Sequence, residues 1–315
     1  MTMQSSRRLI RLSAILLCFV GVCLAQFRPG GGRGYWVDDG GPIVQTEGGM
    51  SVDEDTVRTA RETAPHSADT PVWTNPPEFE RDVFTYTRVI FKSSPGRPSW
   101  FGWVNDYPDC DLNLSFRLQQ LTSIKTDPDG RVLKLTDPAL GEYPMLNMTK
   151  PGRIELREEE VQGLRKYLLA GGALMADDFW GAAEWDQFES QMRRVLPERN
   201  WVELPMEHPL FHCVFDLKVP KNKLQVPYIR AGMSSLNPSS PNFGNSAQYG
   251  GADAQEMHVR AWLDDKQRIM IIATHNTNNG DGWERERENS AYFHEYSENR
   301  AYPLAINIIF YVMTH

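Results

Sequence analysis

The sequence predicts an α/β domain with a mainly parallel sheet flanked by helices. Residues 145–148 are apolar and short enough for a strand; residues 157–170 place Val161, Leu164, Leu168 and Leu169 at helical spacing; residues 173–176, after Gly171-Gly172, repeat the buried-strand pattern. Strand, helix and strand in that order make a crossover unit, and crossover units build parallel sheets. A late β-hairpin is predicted where 257–263 and 268–274 flank Asp264-Asp265-Lys266-Gln267.

The chain opens with Arg7, Arg8 and Arg11, no acid, an apolar run over 12–24, and Cys23-Leu24-Ala25 before Gln26. That layout predicts a secretory signal over 1–25, removed on export to the periplasm or the exterior. A retained anchor is the alternative, although the run is short for a bilayer span. No later segment is apolar enough to cross a membrane, so no transmembrane segment is expected after cleavage. Losing three arginines takes the formal charge from −8 to −11. Such a surface argues against nucleic acid and anionic lipid, whose phosphates attract Lys and Arg. A small polar ligand or an envelope protein fits it as a partner. Cys110 and Cys213 remain in the mature chain, either as free thiols or as a disulfide.

Residues 26–82 read as a mobile leader, Gly-rich over 28–34 and again at Gly40, Gly41, Gly48 and Gly49. One short helix is expected over 51–64, where Ser51-Val52-Asp53-Glu54 has a capping-box arrangement. The leader either wraps the domain or tethers it. Residues 83–315 form the domain itself. Its first strand is expected over 83–91, rich in β-branched and aromatic residues. A helix over 112–124 follows from the spacing of Leu114, Leu118 and Leu121, and a strand over 131–135 comes next. The helix over 157–170 carries Glu158, Glu159 and Glu160 in its first turn, where the macrodipole favours acids, and ends at Gly171-Gly172. A further helix over 182–196 turns Trp185, Phe188, Met192 and Val195 inward. Residues 304–313 read as a final apolar helix, with a strand as the alternative.

The run from Glu142 to Gly181, and the strand ending in Ala273-Thr274-His275-Asn276, resemble the core of class I glutamine amidotransferase-like domains, in particular their ThuA-like branch. Asn105-Asp106-Tyr107-Pro108-Asp109, Leu135-Thr136-Asp137-Pro138, Asp177-Asp178-Phe179-Trp180-Gly181, His208-Pro209-Leu210-Phe211-His212, Asp281-Gly282-Trp283-Glu284 and Tyr302-Pro303-Leu304-Ala305-Ile306-Asn307 resemble the bacterial domain of unknown function 4159. The resemblance implies a flavodoxin-like arrangement and a single amidotransferase-like domain over 83–315. It also implies a sharp turn after the central strand, where a glutaminase keeps a cysteine. Here that turn reads Ala176-Asp177-Asp178-Phe179, so no glutaminase activity is expected.

The candidate pocket is assembled from strand ends, where open α/β sheets hold ligands. Asp177 and Asp178 are suited to a base, to a ligand oxygen or to sugar hydroxyls, unless one merely caps the next helix. Trp180 either stacks on a ligand or plugs the sheet edge. Asp106 and Asp109 follow the first strand, and Asp111 reads as a helix cap. The loop from 275 to 284 contributes His275, Asn276, Asp281, Trp283 and Glu284, with an ordinary polar turn as the bland alternative. Asp178, Trp180, His275, Asp281 and Glu284 are expected to line one pocket. The segment 234–252, with Tyr249, is either a lid or a surface excursion. His208 and His212 flank Pro209, which favours a capping role over a metal site, and neither metal nor cofactor is assigned. The reading favoured is an exported, non-catalytic ligand-binding or envelope-associated module. The alternative is an enzyme acting on a polar small molecule such as a carbohydrate through an Asp/His/Glu cluster.

Overall fold

The computed structural model describes residues 41–79, 82–248 and 251–315, all within one compact unit. The expected signal, the leader's first part up to residue 40, and Tyr249 lie outside the described residues. β1 (Ile43–Gln45) and β2 (Ser51–Asp53) pair antiparallel, with Val44 opposite Val52 and both side chains buried. The helix expected over 51–64 does not form; beyond β2 there is one 3-10 turn, Ala60–Glu62. Ser51–Asp53 is strand instead, and a capping pair is found on other residues: Glu62 accepts from the backbone N–H of Thr59.

The first sheet strand, β3 (Thr87–Ile90), is buried throughout and is followed by β4 (Lys92–Ser93) and α1 (Asp109–Leu121). Next come β5 (Arg131–Lys134), β6 (Met145–Thr149), β7 (Ile154–Glu155), α2 (Glu158–Leu169), β8 (Ala173–Asp177) and α3 (Gly181–Val195). The chain continues through β9 (Val202–Glu203), α4 (Ile229–Leu236), and the hairpin of β10 (His258–Leu263) and β11 (Ile269–His275). After α5 (Asn279–Glu284), a π-helical stretch, Phe293–Ala301, runs into α6 (Tyr302–Thr314). The final apolar element is therefore helical.

The sheet order is β5-β3-β6-β8-β11-β10-β9. The strands from β5 to β11 are parallel, and β10 turns antiparallel through the hairpin. This is the α/β class the sequence predicts. Strand alternation divides the core: on β8, Leu174 and Ala176 join the cluster under α2 and α3, while Met175 joins the one under α1 and α6. Among the described residues no helix is long and apolar enough to cross a membrane.

One detail departs from the sequence reading, and two settle alternatives that it left open. Val44, Val52, Val57 and Ala60 belong to the main core cluster, so residues 41–79 are a strap packed on the domain. Its backbone also pairs with the domain, Ala60 N–H donating to Asp129 and Val132 N–H to Arg58. Cys110 and Cys213 are both free thiols, Cys110 fully buried under α1. His208 takes the capping role, its side chain accepting from Leu210 N–H at 3.2 Å.

Within apolar α6, Asn307 is fully buried and bonds an extended segment: its Nδ2 donates to Phe215 O at 2.8 Å, and its Oδ1 accepts from Val214 and Phe215 N–H. Truncation strands those backbone groups, each costly when buried without a partner. Asn307→Ala is expected to destabilise the fold by about 2–3 kcal/mol. Urea unfolding should show a lower midpoint at unchanged slope; an unchanged midpoint would mean that the segment does not depend on this side chain.

Candidate functional site

The parallel strands direct their C-terminal ends to one edge, and the backbone there is unusual. Lys150 after β6, Asp178 after β8 and Asn276 after β11 have φ of 58°, 59° and 60°, and Asp106 beyond β3 has 58°. Non-glycine residues adopt this left-handed region only at some cost, and such positions cluster at functional edges.

Asp178 stands at the sharp turn between β8 and α3. Its carboxylate is fully buried and pairs with Lys150 Nζ at 2.7 Å, Asn105 Nδ2 at 2.9 Å and Trp180 Nε1 at 3.1 Å. Asp177 beside it accepts from Thr274 Oγ1 (2.6 Å), Asn279 Nδ2 (2.7 Å) and Gly280 N–H (3.0 Å). Burial outweighs those bonds, and with the nearby Asp178 charge it raises the Asp177 pKa to about 7. Neither residue simply caps α3: its first turn is served by Glu184, Asn276 and Asp253, which accept from the N–H groups of Trp180, Gly181 and Ala182.

The acidic centre lies beyond β3 and β11. Glu47, Asp106 and Glu284 each present a carboxylate oxygen within 4.8 Å of the other two. Asp106 is 1% exposed, and its Oδ2 has no hydrogen-bond partner. Burial, then the charges of Glu284, Asp281 and Asp178, push its carboxyl well above the usual range. Asp281 is raised for the same first reason, against the opposing pull of Arg285. Arg285 lies 2.7 Å from Glu284, 3.1 Å from Asp281 and 2.8 Å from Glu47. Gly280 makes this density possible: a Cβ there would fall 2.1 Å from Asp106 Oδ2. The loop from 275 to 284, for which a polar turn is the bland alternative, ends in the buried helix α5, capped by Asn278, whose side chain accepts from Asp281 N–H at 2.8 Å.

Asp109 is where the strap docks. It accepts from the N–H groups of His66, Ser67 and Ala68 at 2.9, 3.1 and 2.8 Å. The His66 ring bridges Asp109 (2.9 Å) and Glu284 (2.7 Å). Burial resists charging of the imidazole, but the two carboxylates overcome it and raise its pKa to about 10.

The structure therefore brings together Asp106, Asp109, Asp281 and Glu284, and places Asp177, Asp178 and Trp180 next along the edge. It does not bring His275 to these acids. That ring is bound at Nε2 by Gly181 O (3.0 Å) and packed by Phe179, Trp185 and His258. Burial lowers its pKa to about 4 and keeps it neutral. Asn276 is occupied with Gly181 N–H and the carbonyls of Asp253 and Glu256, and Trp283 is buried in the second core cluster. Asp111, read as a cap, instead pairs with buried Arg88. Sequence reasoning missed Glu47, His66, Lys150 and Arg285. The usable signal was Asp109, an acid with no local structural task, which called for a partner from elsewhere in the chain.

A family model described as Domain of unknown function (DUF4159) matches residues 100–313. The chain belongs to this family. The DUF4159 region holds every aspartate of the edge, while Glu47 and His66 come from the chain ahead of it. A search of curated proteins finds no match to the chain.

His66 sets a pH dependence. Its pKa is raised from 6.5 to about 10 on folding, so its stabilisation is complete below about 6.5 and is lost as pH rises through 10. Melting temperature should fall between pH 6.5 and 10, and His66→Gln should flatten that fall. Parallel curves for the two proteins would show that the imidazolium does not hold the strap.

Proposed function

We propose that this DUF4159 protein is an exported, non-catalytic binding module of the cell envelope that takes a small, positively charged polar ligand at its acidic edge. The observation that carries the reading is the fully buried, unpartnered Oδ2 of Asp106 amid further carboxylates. Buried polar atoms are nearly always satisfied, and an exception points to a missing partner. The mainly parallel sheet, with a positive-φ residue at the turn after β8, supports placing the domain with the amidotransferase-like, ThuA-like folds. That turn offers Asp178, whose two oxygens are taken by Lys150, Asn105 and Trp180. A carboxylate so engaged is a poor nucleophile, which supports binding over glutamine hydrolysis. The formal charge of −11 expected for the mature chain fits a surface that attracts cations rather than phosphates.

A thermal-shift panel of inorganic cations, amines and amino sugars tests this, since a ligand specific for the native state raises its stability. At least one cationic class should raise the melting temperature of the full chain and fail to do so in Asp106→Asn. Absence of any response, or ammonia release from glutamine abolished by changing Cys110 or Cys213, would overturn the reading.

A further inference from the structure

Resting on the binding reading above, we infer that the ligand is a hard divalent cation of calcium's size, held by Glu47, Asp106 and Glu284, and that its binding locks the strap onto the domain. The three carboxylates come from three separate parts of the chain: the strap, the loop after β3, and the end of α5. Calcium–oxygen distances are about 2.4 Å, so one ion can reach two oxygens up to about 4.8 Å apart. Each pair among the three oxygens falls within that span, so modest side-chain shifts would seat one ion among all three. Calcium's flexible set of six to eight oxygens suits carboxylates from three chain segments better than magnesium's strict octahedron at about 2.1 Å. An oxygen-only set selects calcium, magnesium or manganese over zinc or copper.

An acidic cluster alone would not be enough. The independent observation is Asp106 Oδ2, buried to 1% exposure and without a hydrogen-bond donor. Arg285 and His66 do not supply one: they engage Glu47, Asp281, Glu284 and Asp109. The local charge is also unbalanced, with six carboxylates (Glu47, Asp106, Asp109, Asp281, Glu284, Glu288) around the two cations His66 and Arg285. A divalent ion held there offsets two of the excess charges at one point. His66, already oriented by Asp109, fixes Glu284 from outside the ligand set, as supporting groups commonly do. The Glu47 side chain is 42% exposed, so the site opens to solvent on the strap side and gives an ion a way in.

Coupling to the strap follows from Glu47. The ion would tie the turn between β1 and β2 to α5 directly, beside the ion pair that Glu47 makes with Arg285. Removing the ion should then loosen residues 41–68 before the rest of the domain.

The test is calorimetric titration of the chelator-treated full chain with calcium, magnesium and manganese, together with hydrogen exchange of the strap. Calcium should bind with one-to-one stoichiometry and slow exchange over 41–68. Asp106→Asn should abolish binding, and Glu47→Gln should weaken it by on the order of tenfold or more while the domain stays folded. Glu47 is the safer variant, because it is exposed and far from the sheet core. A surface control, Glu298→Gln, should bind as the parent does. Calcium affinity unchanged in both site variants would mean adventitious binding to surface acids and would overturn the inference. An amine or amino sugar that binds in an Asp106-dependent way while metals do not would overturn this inference and leave the binding reading standing. No ligand of any class, with Asp106→Asn more stable than the parent, would overturn both, because Asp106 would then be a proton-sharing acid.

Discussion

Arg88, at the second position of β3, is wholly buried and serves several masters at once. Its Nε bonds both oxygens of Asp111, and its Nη1 donates to the carbonyls of Trp103 and Asn105 at 2.7 and 3.0 Å. Those contacts fix the path from β3 to α1: the carbonyls just before Asp106 and the first turn of α1 just after it are held by one guanidinium. Between these anchors Asp106 adopts the left-handed conformation, with its carboxylate beside Gly280. Removing either member of a buried pair leaves an uncompensated charge and typically costs about 3–5 kcal/mol. The cost here would fall on the placement of the acidic edge as much as on the fold.

A second layer of organisation rests on that edge. Once α1 is placed, Asp109 at its start presents a carboxylate to three consecutive strap N–H groups; burial pushes its carboxyl up, but the bonds from His66 and the backbone outweigh it and hold the group below the ordinary aspartate range. The strap in turn carries Glu54, which bonds Trp103 Nε1 and pairs with Lys92, each at 2.7 Å. The loop that Arg88 holds from within is therefore also held from outside. Strap, loop and α5 form a closed set of polar contacts around carboxylates that the protein itself does not fully satisfy.

Much of the sheet and its helices could be read from the sequence, because each element buries one face and shows it as a local period. The β-branched run at β3, the leucine spacing of α2 and the glycine stop before β8 are all local signals. The strap was not legible as packed structure: it contributes single valines and bonds partners 41 to 43 residues away, as in the His66, Ser67 and Ala68 contacts with Asp109. Its glycines gave the opposite impression. The acids Asp106, Asp178, Asp281 and Glu284 could be named because strand ends in parallel sheets converge. His275 shows the limit of that rule. Successive strand residues face opposite sides, so Thr274 turns to Asp177 while His275 turns to Trp185 and Phe179. Position at a strand end predicts the edge a residue reaches; parity decides the face.

The account stands or falls on whether Asp106 is an under-satisfied buried acid. Carbon-13 carboxyl NMR of aspartate-labelled, chelator-treated protein reads this directly. The Asp106 resonance should titrate well above the ordinary aspartate value of 3.8, and its midpoint should fall when a saturating cation is added. A midpoint at or below 3.8 without any cation would show that the carboxylate is already satisfied, and would contradict the proposed site.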